Sequence, residues 1–181
     1  MNAKEYSETV RMVLDELCQT VRNIEGVDIL LHGIRQANRL FFAGAGRSRL
    51  ALGSFAMRLM QFGWMVYMVG DITTPAIREG DLLIIASGSG ETATMSVIAQ
   101  KAHMSKARVL LITRHAESSI ADMADALTVI PDVGTTGKQV GAASFEQAVM
   151  LLGDLCVCIL SQRENLSDAN EEMFSRHANL E

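Results

Sequence analysis

The residues best suited to chemistry are Ser87-Gly88-Ser89-Gly90-Glu91-Thr92, which follow the apolar run Leu82-Leu83-Ile84-Ile85-Ala86. Ser87, Ser89 and Thr92 supply hydroxyl donors, while Gly88 and Gly90 permit a tight turn and close approach of a ligand. A helix starting beyond Thr92 adds unpaired N–H groups and the positive end of its dipole. Together these make a cradle for a phosphate. The plainer reading is a polar loop whose hydroxyls merely cap the helix. A second glycine loop, Gly44-Ala45-Gly46-Arg47-Ser48, follows another apolar run. It is not a dinucleotide fingerprint, because Arg49 stands where the third glycine belongs and Gly70-Asp71 is a weak match to the required acid. Nor is it a P-loop, because Gly-Lys-Ser/Thr is absent. It offers Ser48 with Arg47 and Arg49 beside it, cations for a phosphate or a sugar oxygen, or else solvated charges.

Such loops need a scaffold. A continuously apolar run such as 82–86 suits a parallel strand covered on both faces. Similar runs predict strands at 39–43, 64–69, 108–113 and 126–130, with helices at 48–62, 92–106 and 118–123 between them. Ahead of the first strand, Val10, Val13, Leu14, Leu17, Val21 and Ile24 recur at helical spacing. This predicts a helix over 3–24, ended by Gly26, and a second from Asp28 to Ala37. Pro131 closes the last strand, and 131–142 form a long loop of the kind usually reserved for function. Ser144 then caps a helix to Arg163, with Glu146 in its first turn and Gln147 beside it. The tail from Ser167 predicts a short helix ending near His177. Strands alternating with helices make an α/β fold, a three-layer α/β/α sandwich on a five-stranded parallel sheet. Ligands bind such sheets at the carboxyl ends of the strands. The loops after strands one and three share that edge, so Ser48 can converge with Ser87, Ser89 and Thr92. With no repeat or linker, residues 1–181 read as one domain with a helical extension (1–37) and a tail (165–181).

Composition narrows the class. Of 181 residues, 49% are hydrophobic and 20% charged, which suits a packed globular chain rather than a disordered one. A net charge of -5 argues against a nucleic-acid surface. No apolar stretch reads as long enough for a membrane span, and the start, with Glu5 and Glu8, lacks the order of a signal peptide. A cytoplasmic setting is the default. Cys156 and Cys158 point to different faces of one helix, and Cys18 sits among apolar neighbours. The three read as buried free thiols rather than disulfide or metal ligands.

The loop at Ser87–Thr92 resembles the phosphate loop of the sugar isomerase (SIS) fold. Ala43-Gly44-Ala45-Gly46-Arg47-Ser48, Phe55-Ala56-Met57-Arg58-Leu59-Met60, Thr73-Thr74-Pro75 and Arg176-His177-Ala178-Asn179-Leu180 extend the likeness. In this order and spacing they resemble the 6-phospho-3-hexuloisomerase family, over almost the whole chain. The resemblance implies a flavodoxin-like five-stranded sandwich, assembled as a homotetramer with active sites at subunit interfaces. It implies the interconversion of D-arabino-hex-3-ulose 6-phosphate and fructose 6-phosphate in the ribulose monophosphate route of formaldehyde handling, with no metal or organic cofactor. A neighbouring subunit would also give the N-terminal helices something to cover.

Moving a carbonyl from C3 to C2 passes through a cis-enediol, and one base can take the C2 proton and return it at C3. Glu146 matches the family's glutamate at the start of the helix after the long loop, so the resemblance implies that it is this base. Its structural alternative is a favourable contact with the helix dipole. The resemblance makes His177 the second catalytic group, in a tail reaching a neighbour's site to move protons between O2 and O3 or open the ring. Its alternative is an exposed tail histidine. Ser48, Ser87, Gly88, Ser89 and Thr92 would hold the phosphate, with Gly46 and Arg47 as weaker substrate contacts. Glu91, an acid beside an anion site, is expected to point away. His32, His103 and His115 read as surface or structural residues. Two rival functions remain: an isomerase of the same superfamily acting on a different phosphosugar, and a non-catalytic sugar-phosphate-binding module. The absence of a basic recognition helix ahead of strand one argues against the module as a stand-alone regulator.

Overall fold

The computed structural model of the protein describes residues 2–133, 139–141, 143–163 and 169–180. Helix α1 (Ala3–Arg22) begins with a capping box, in which Asn2 Oδ1 accepts the Lys4 and Glu5 N–H groups and Glu5 accepts that of Asn2. It ends at Arg22, two residues short of the predicted end. Gly26 does not close it but opens α2 (Val27–Gln36), in a left-handed conformation. Then follow β1 (Leu40–Gly44), α3 (Gly46–Gln61), β2 (Val66–Met68), β3 (Leu82–Ala86), α4 (Ala93–Met104), β4 (Arg108–Thr113), β5 (Ala126–Val129), α5 (Ala143–Arg163) and α6 (Ala169–Ser175).

The strands pair in parallel in the order β2-β1-β3-β4-β5. Their alternation serves two cores. Leu40, Phe42, Leu82, Ile84, Leu110 and Ile112 face α2, α3 and α5. Phe41, Ala43, Leu83, Ile85, Val109 and Leu111 face α4 and Ile120. Burial on both faces is why these strands are apolar at every position. The predicted α/β sandwich is therefore present, with local corrections. Strand β2 is three residues rather than six: the Trp64 N–H is taken by the Leu59 carbonyl at the end of α3, and Met65 and Val69 flank the strand with one bond each to β1, the Met65 carbonyl accepting the Leu40 N–H and the Val69 N–H donating to the Phe42 carbonyl. The predicted helix at 118–123 is a single 3₁₀ turn at Ala121–Met123. Helix α5 already includes Ala143, two residues ahead of the helix that Ser144 would cap, so Ser144 lies inside its first turn and is not its cap.

Helix α5 also corrects the membrane reading. From Ala143 to Gln162 it is long and apolar enough to cross a bilayer by length and composition. Its apolarity has a packing reason, since Phe145, Ala148, Val149, Leu152, Cys156 and Leu160 are all buried in the first core. At its crossing with α3, a Cβ on Gly153 would stand 2.7 Å from Cβ and Cγ of Phe55. The thiols are free, as expected, but Cys18 and Cys158 are exposed. Cys156 alone of the three is buried, and burial pushes its thiol up to about 12. The Cys18 face of α1 stays open, with Leu14 57% and Val10 37% exposed.

The contact at Gly153 leaves no space for a branched side chain. A Gly153→Val substitution is expected to cost ~1–3 kcal/mol through overpacking, read as a lower denaturation midpoint at unchanged m-value.

Candidate functional site

In the order 2-1-3-4-5 the direction of winding reverses between β1 and β3, where a crevice opens at the carboxyl edge. Both glycine loops leave the sheet there, because Gly44 is paired with Ala86. After Gly44 the chain turns at once into α3, capped by Ala45, so Gly46, Arg47 and Ser48 form the first helical turn rather than a loop. After Ala86, Ser87 to Glu91 form the loop and Thr92 stands at the N-cap of α4. Neither α3 nor α4 has a side-chain cap. Thr92 Oγ1 instead shares a 2.9 Å hydrogen bond with Ser87 Oγ, and the exposed Ser89 Oγ accepts the Glu91 N–H at 3.2 Å. The hydroxyls thus shape the loop, and no side chain caps the first turn of either helix, although the Met95 N–H is taken by the Thr92 carbonyl at 2.9 Å.

Glu91 points away from the cradle, as expected. Its carboxylate accepts Ser119 Oγ–H at 2.5 Å and the Ser119 N–H at 2.7 Å. These two bonds, the hydroxyl's first, hold its pKa below the ordinary 4.5 against a small opposing effect of burial. The loop is pressed close to the same segment. Gly90 has φ 67, and a Cβ there would lie 2.0 Å from Ser118 Oγ.

Glu146 sits in the first turn of α5, and Arg47 Nε–H donates to its Oε2. The carboxylate side chain is 15% exposed and the guanidinium side chain 65%. With Leu50, Ala51, Gln147 and Met150 they line a cavity of about 250 Å³. The cradle lies beside it, since a Cβ on Gly88 would be 3.3 Å from Cδ1 of Phe145. Arg47 therefore meets a carboxylate, not an open anion site. Arg49 turns away to Asp71 (2.6 Å) and the Val69 carbonyl, so the Gly70-Asp71 pair has a structural role. Half of the long loop, residues 134–138 and 142, lies outside the described residues. Gln139, near its end, exchanges two amide bonds with Gln147 and donates its N–H to Glu16 of α1.

His177 is elsewhere. Arg176 Nη1 donates to the Gln61 carbonyl and Arg58 Nη1 to Met173 Sδ, which fixes the tail at the carboxyl end of α3. Ser48 is in the first turn at the opposite end of that helix, about 20 Å from Gln61 at 1.5 Å per residue. Within one chain, then, His177 and Glu146 do not meet. His177 stacks on Phe174 at 6.0 Å, and both are exposed. His32, His103 and His115 are exposed as well.

Sequence reasoning missed Arg114, Asp132 and Phe145. Arg114 directly follows β4, so its place at a strand's carboxyl end was the available signal. Among the described residues, no three His, Cys, Asp or Glu side chains gather to hold a metal ion. A larger cavity of about 270 Å³ lies on the other face of the sheet, lined by Phe41, Val69, Pro75, Leu83, Ile98 and Lys101. It is apolar and includes none of the loop residues. The crevice combines an anion cradle with a carboxylate and its arginine, an arrangement able to bind a phosphate and move a proton next to a carbonyl.

The SIS domain profile matches residues 33–159. A 3-hexulose-6-phosphate isomerase of Mycobacterium gastri is 38% identical, covering 98% of this chain and 92% of that protein. One from Bacillus subtilis is 39% identical, covering 97% and 98%. A Methanococcus jannaschii protein, whose crystal structure infers a molecular function of 3-hexulose-6-phosphate isomerase, superposes with TM-score 0.81 at 30% identity, covering 93% of this chain and 98% of that one.

The bonds from Ser119 stabilise the folded state only while Glu91 is ionised. Their contribution is complete above about pH 4.5 and lost as pH falls through the lowered folded value. Glu91→Gln is therefore expected to melt below the native chain at neutral pH, with the gap closing on acidification. Melting curves across that range check it.

Proposed function

The chain belongs to the SIS domain family, and from that membership we infer that it is a 3-hexulose-6-phosphate isomerase. It interconverts D-arabino-hex-3-ulose 6-phosphate and fructose 6-phosphate, a step of the ribulose monophosphate route. The carrying observation is that the turn bearing Glu146 abuts the glycine–serine loop, so a base and a phosphate anchor share one edge of the sheet.

In this reading Ser48, Ser87, Ser89 and Thr92, with the N–H groups around Gly46 and Gly88, hold the phosphate. Anchoring one end of an open-chain sugar places its reacting carbons without further chemistry from the protein. Glu146 removes the C2 proton of the hexulose and returns it at C3. Arg47, already on Glu146, balances the negative charge that grows on the enediolate oxygens. The reaction is redox-neutral and moves protons alone, so it calls for no cofactor.

His177 then comes from another copy of the chain, in a homotetramer with sites at its interfaces. The tail's position a helix-length from its own cradle supports this. So do the apolar side chains left open around Glu146, with Leu50 72% and Met150 48% exposed. They continue along α3 and α5 through Met57, Leu151 and Leu155, an apolar surface that a subunit contact would cover. A cytoplasmic setting goes with the reading, because a phosphorylated sugar is too highly charged to cross a bilayer unaided.

Purified protein is expected to convert hex-3-ulose 6-phosphate to fructose 6-phosphate without added metal. Glu146→Gln should lower kcat by ~10²–10⁴-fold while phosphosugar binding persists. Turnover of a different phosphosugar instead would favour another isomerase of the superfamily, and binding without turnover a sensing module. Mixing the inactive Glu146→Gln and His177→Ala chains under exchange conditions should restore activity, since some sites then combine both native residues. No recovery would place His177 outside the site.

A further inference from the structure

Arg114 lies immediately beyond β4, at the same edge as the cradle, and its side chain is 25% exposed. Three donors converge on the Gly88 carbonyl: the Arg114 N–H at 3.2 Å, Thr113 Oγ1–H at 3.4 Å and Arg114 Nε–H at 3.5 Å. The far end of the guanidinium donates from Nη1 to Asp132 Oδ1 at 3.4 Å, on the segment leaving β5. Its centre stands 6.0 Å from the centroid of the Phe145 ring. A Cβ on Gly88 would be 3.3 Å from both Arg114 Nε and Phe145 Cδ1, so the loop, the guanidinium and the ring are in one packed stack.

From this geometry we propose that Arg114 is a positioning residue for the substrate phosphate, aiming the Gly88–Ser89 peptide into the cradle and tying it to the turn that carries Glu146. The proposal rests on the reading of that loop as the phosphate site. The argument is one of direction. There are no cis peptides among the described residues, and in a planar trans peptide the C=O and the following N–H point opposite ways. With the Gly88 carbonyl drawn toward β4, the Ser89 N–H points away from β4. Since β3 lies between β4 and β1, that is the side where α3 begins, with Ser48 in its first turn. The Arg114 N–H and Thr113 Oγ1–H set this direction, and the Arg114 Nε–H braces the peptide against rocking away from it. Arginine suits the task because one planar fork can bond a carbonyl, reach a carboxylate and lie against an aromatic ring. Lysine carries the same charge but cannot make the three contacts at once.

The test compares native protein with Arg114→Met, Arg114→Lys and Asp132→Asn, measuring kcat, KM and competitive inhibition by inorganic phosphate. Arg114→Met is expected to raise KM and the phosphate inhibition constant together, by up to about tenfold, as the Ser89 N–H bond to the phosphate weakens once the Nε–H brace on the Gly88 carbonyl is gone. Its kcat should stay within about twofold, because Glu146 and Arg47 are untouched. Arg114→Lys should remain close to Arg114→Met, and Asp132→Asn should move both constants the same way by less. Unchanged constants in Arg114→Met, a fall confined to kcat, or full recovery by Arg114→Lys would each overturn the proposal, the last by assigning the effect to charge alone. If Arg114→Met does not fold, unchanged constants in both Arg114→Lys and Asp132→Asn overturn it equally. Native protein that neither turns over the phosphosugar nor is inhibited by phosphate removes the phosphate-site reading itself, and the proposal falls with it.

Discussion

Arg39 and Asp81 precede β1 and β3 by one residue each, and they form a buried pair at the rung below Leu40 and Leu82. Asp81 is fully buried and accepts Arg39 Nε–H, Arg39 Nη2–H and the Arg78 N–H. The guanidinium also lies over Phe41 and Tyr67. A paired charge in such a place is a weak source of net stability, and its best-attested use is to fix register. Register is what this sheet needs. With apolar residues on both faces, a slipped β3 would still be buried, and polarity alone would not punish it. The Arg39–Asp81 pair does, and five rungs later it has set Gly44 beside Ala86 and the two loops side by side.

From that alignment the proposed site divides into a part that would hold the phosphate and a part that would react. The holding part is mostly backbone: two helix starts without side-chain caps and a loop whose hydroxyls bond one another. Backbone donors carry no net charge of their own, so their positions matter more than their number. That is why the loop is braced from outside, by Glu91 on Ser119 and by Arg114 beneath Gly88. The reacting part uses side chains on two helices that cross at Gly153, where Phe55 allows almost no slack. Arg47 at the start of α3 and Glu146 at the start of α5 are held at a common distance by that crossing.

Much of this was legible before any coordinates. The apolar runs named β1, β3 and β4 within a residue, and the residues following β1 and β3 named the crevice. Periodicity also found an apolar face on α1. What it could not tell is what covers that face, and so it mistook Cys18 for a buried thiol. Strand β2 was over-read at its start because the Trp64 N–H belongs to the end of α3, which an apolar side chain does not reveal. Arg114 was passed over because a lone arginine after a strand has no spacing to recognise. Its partners come from residues 88, 132 and 145, and only the sheet order brings them together. Ser48 was singled out for the opposite reason, lying in a stretch whose local pattern points to a helix start, whereas Glu146 was singled out as a base through the family resemblance.

The two outer edges of the sheet are not alike. Beside β5, Glu25 exchanges both backbone hydrogen bonds with Val129 and closes that margin. Strand β2 has three half-buried residues and is joined to β3 by a connection that contains no helix. Short edge strands deter pairing with other chains, but they also open at low cost. In the language of hydrogen exchange, the amides of β2 belong to the least protected unit of the sheet, and those of β1 and β3 to the most protected. The crevice is therefore mounted on the last strands to open, and breathing at the β2 margin can proceed many times over without disturbing the cradle.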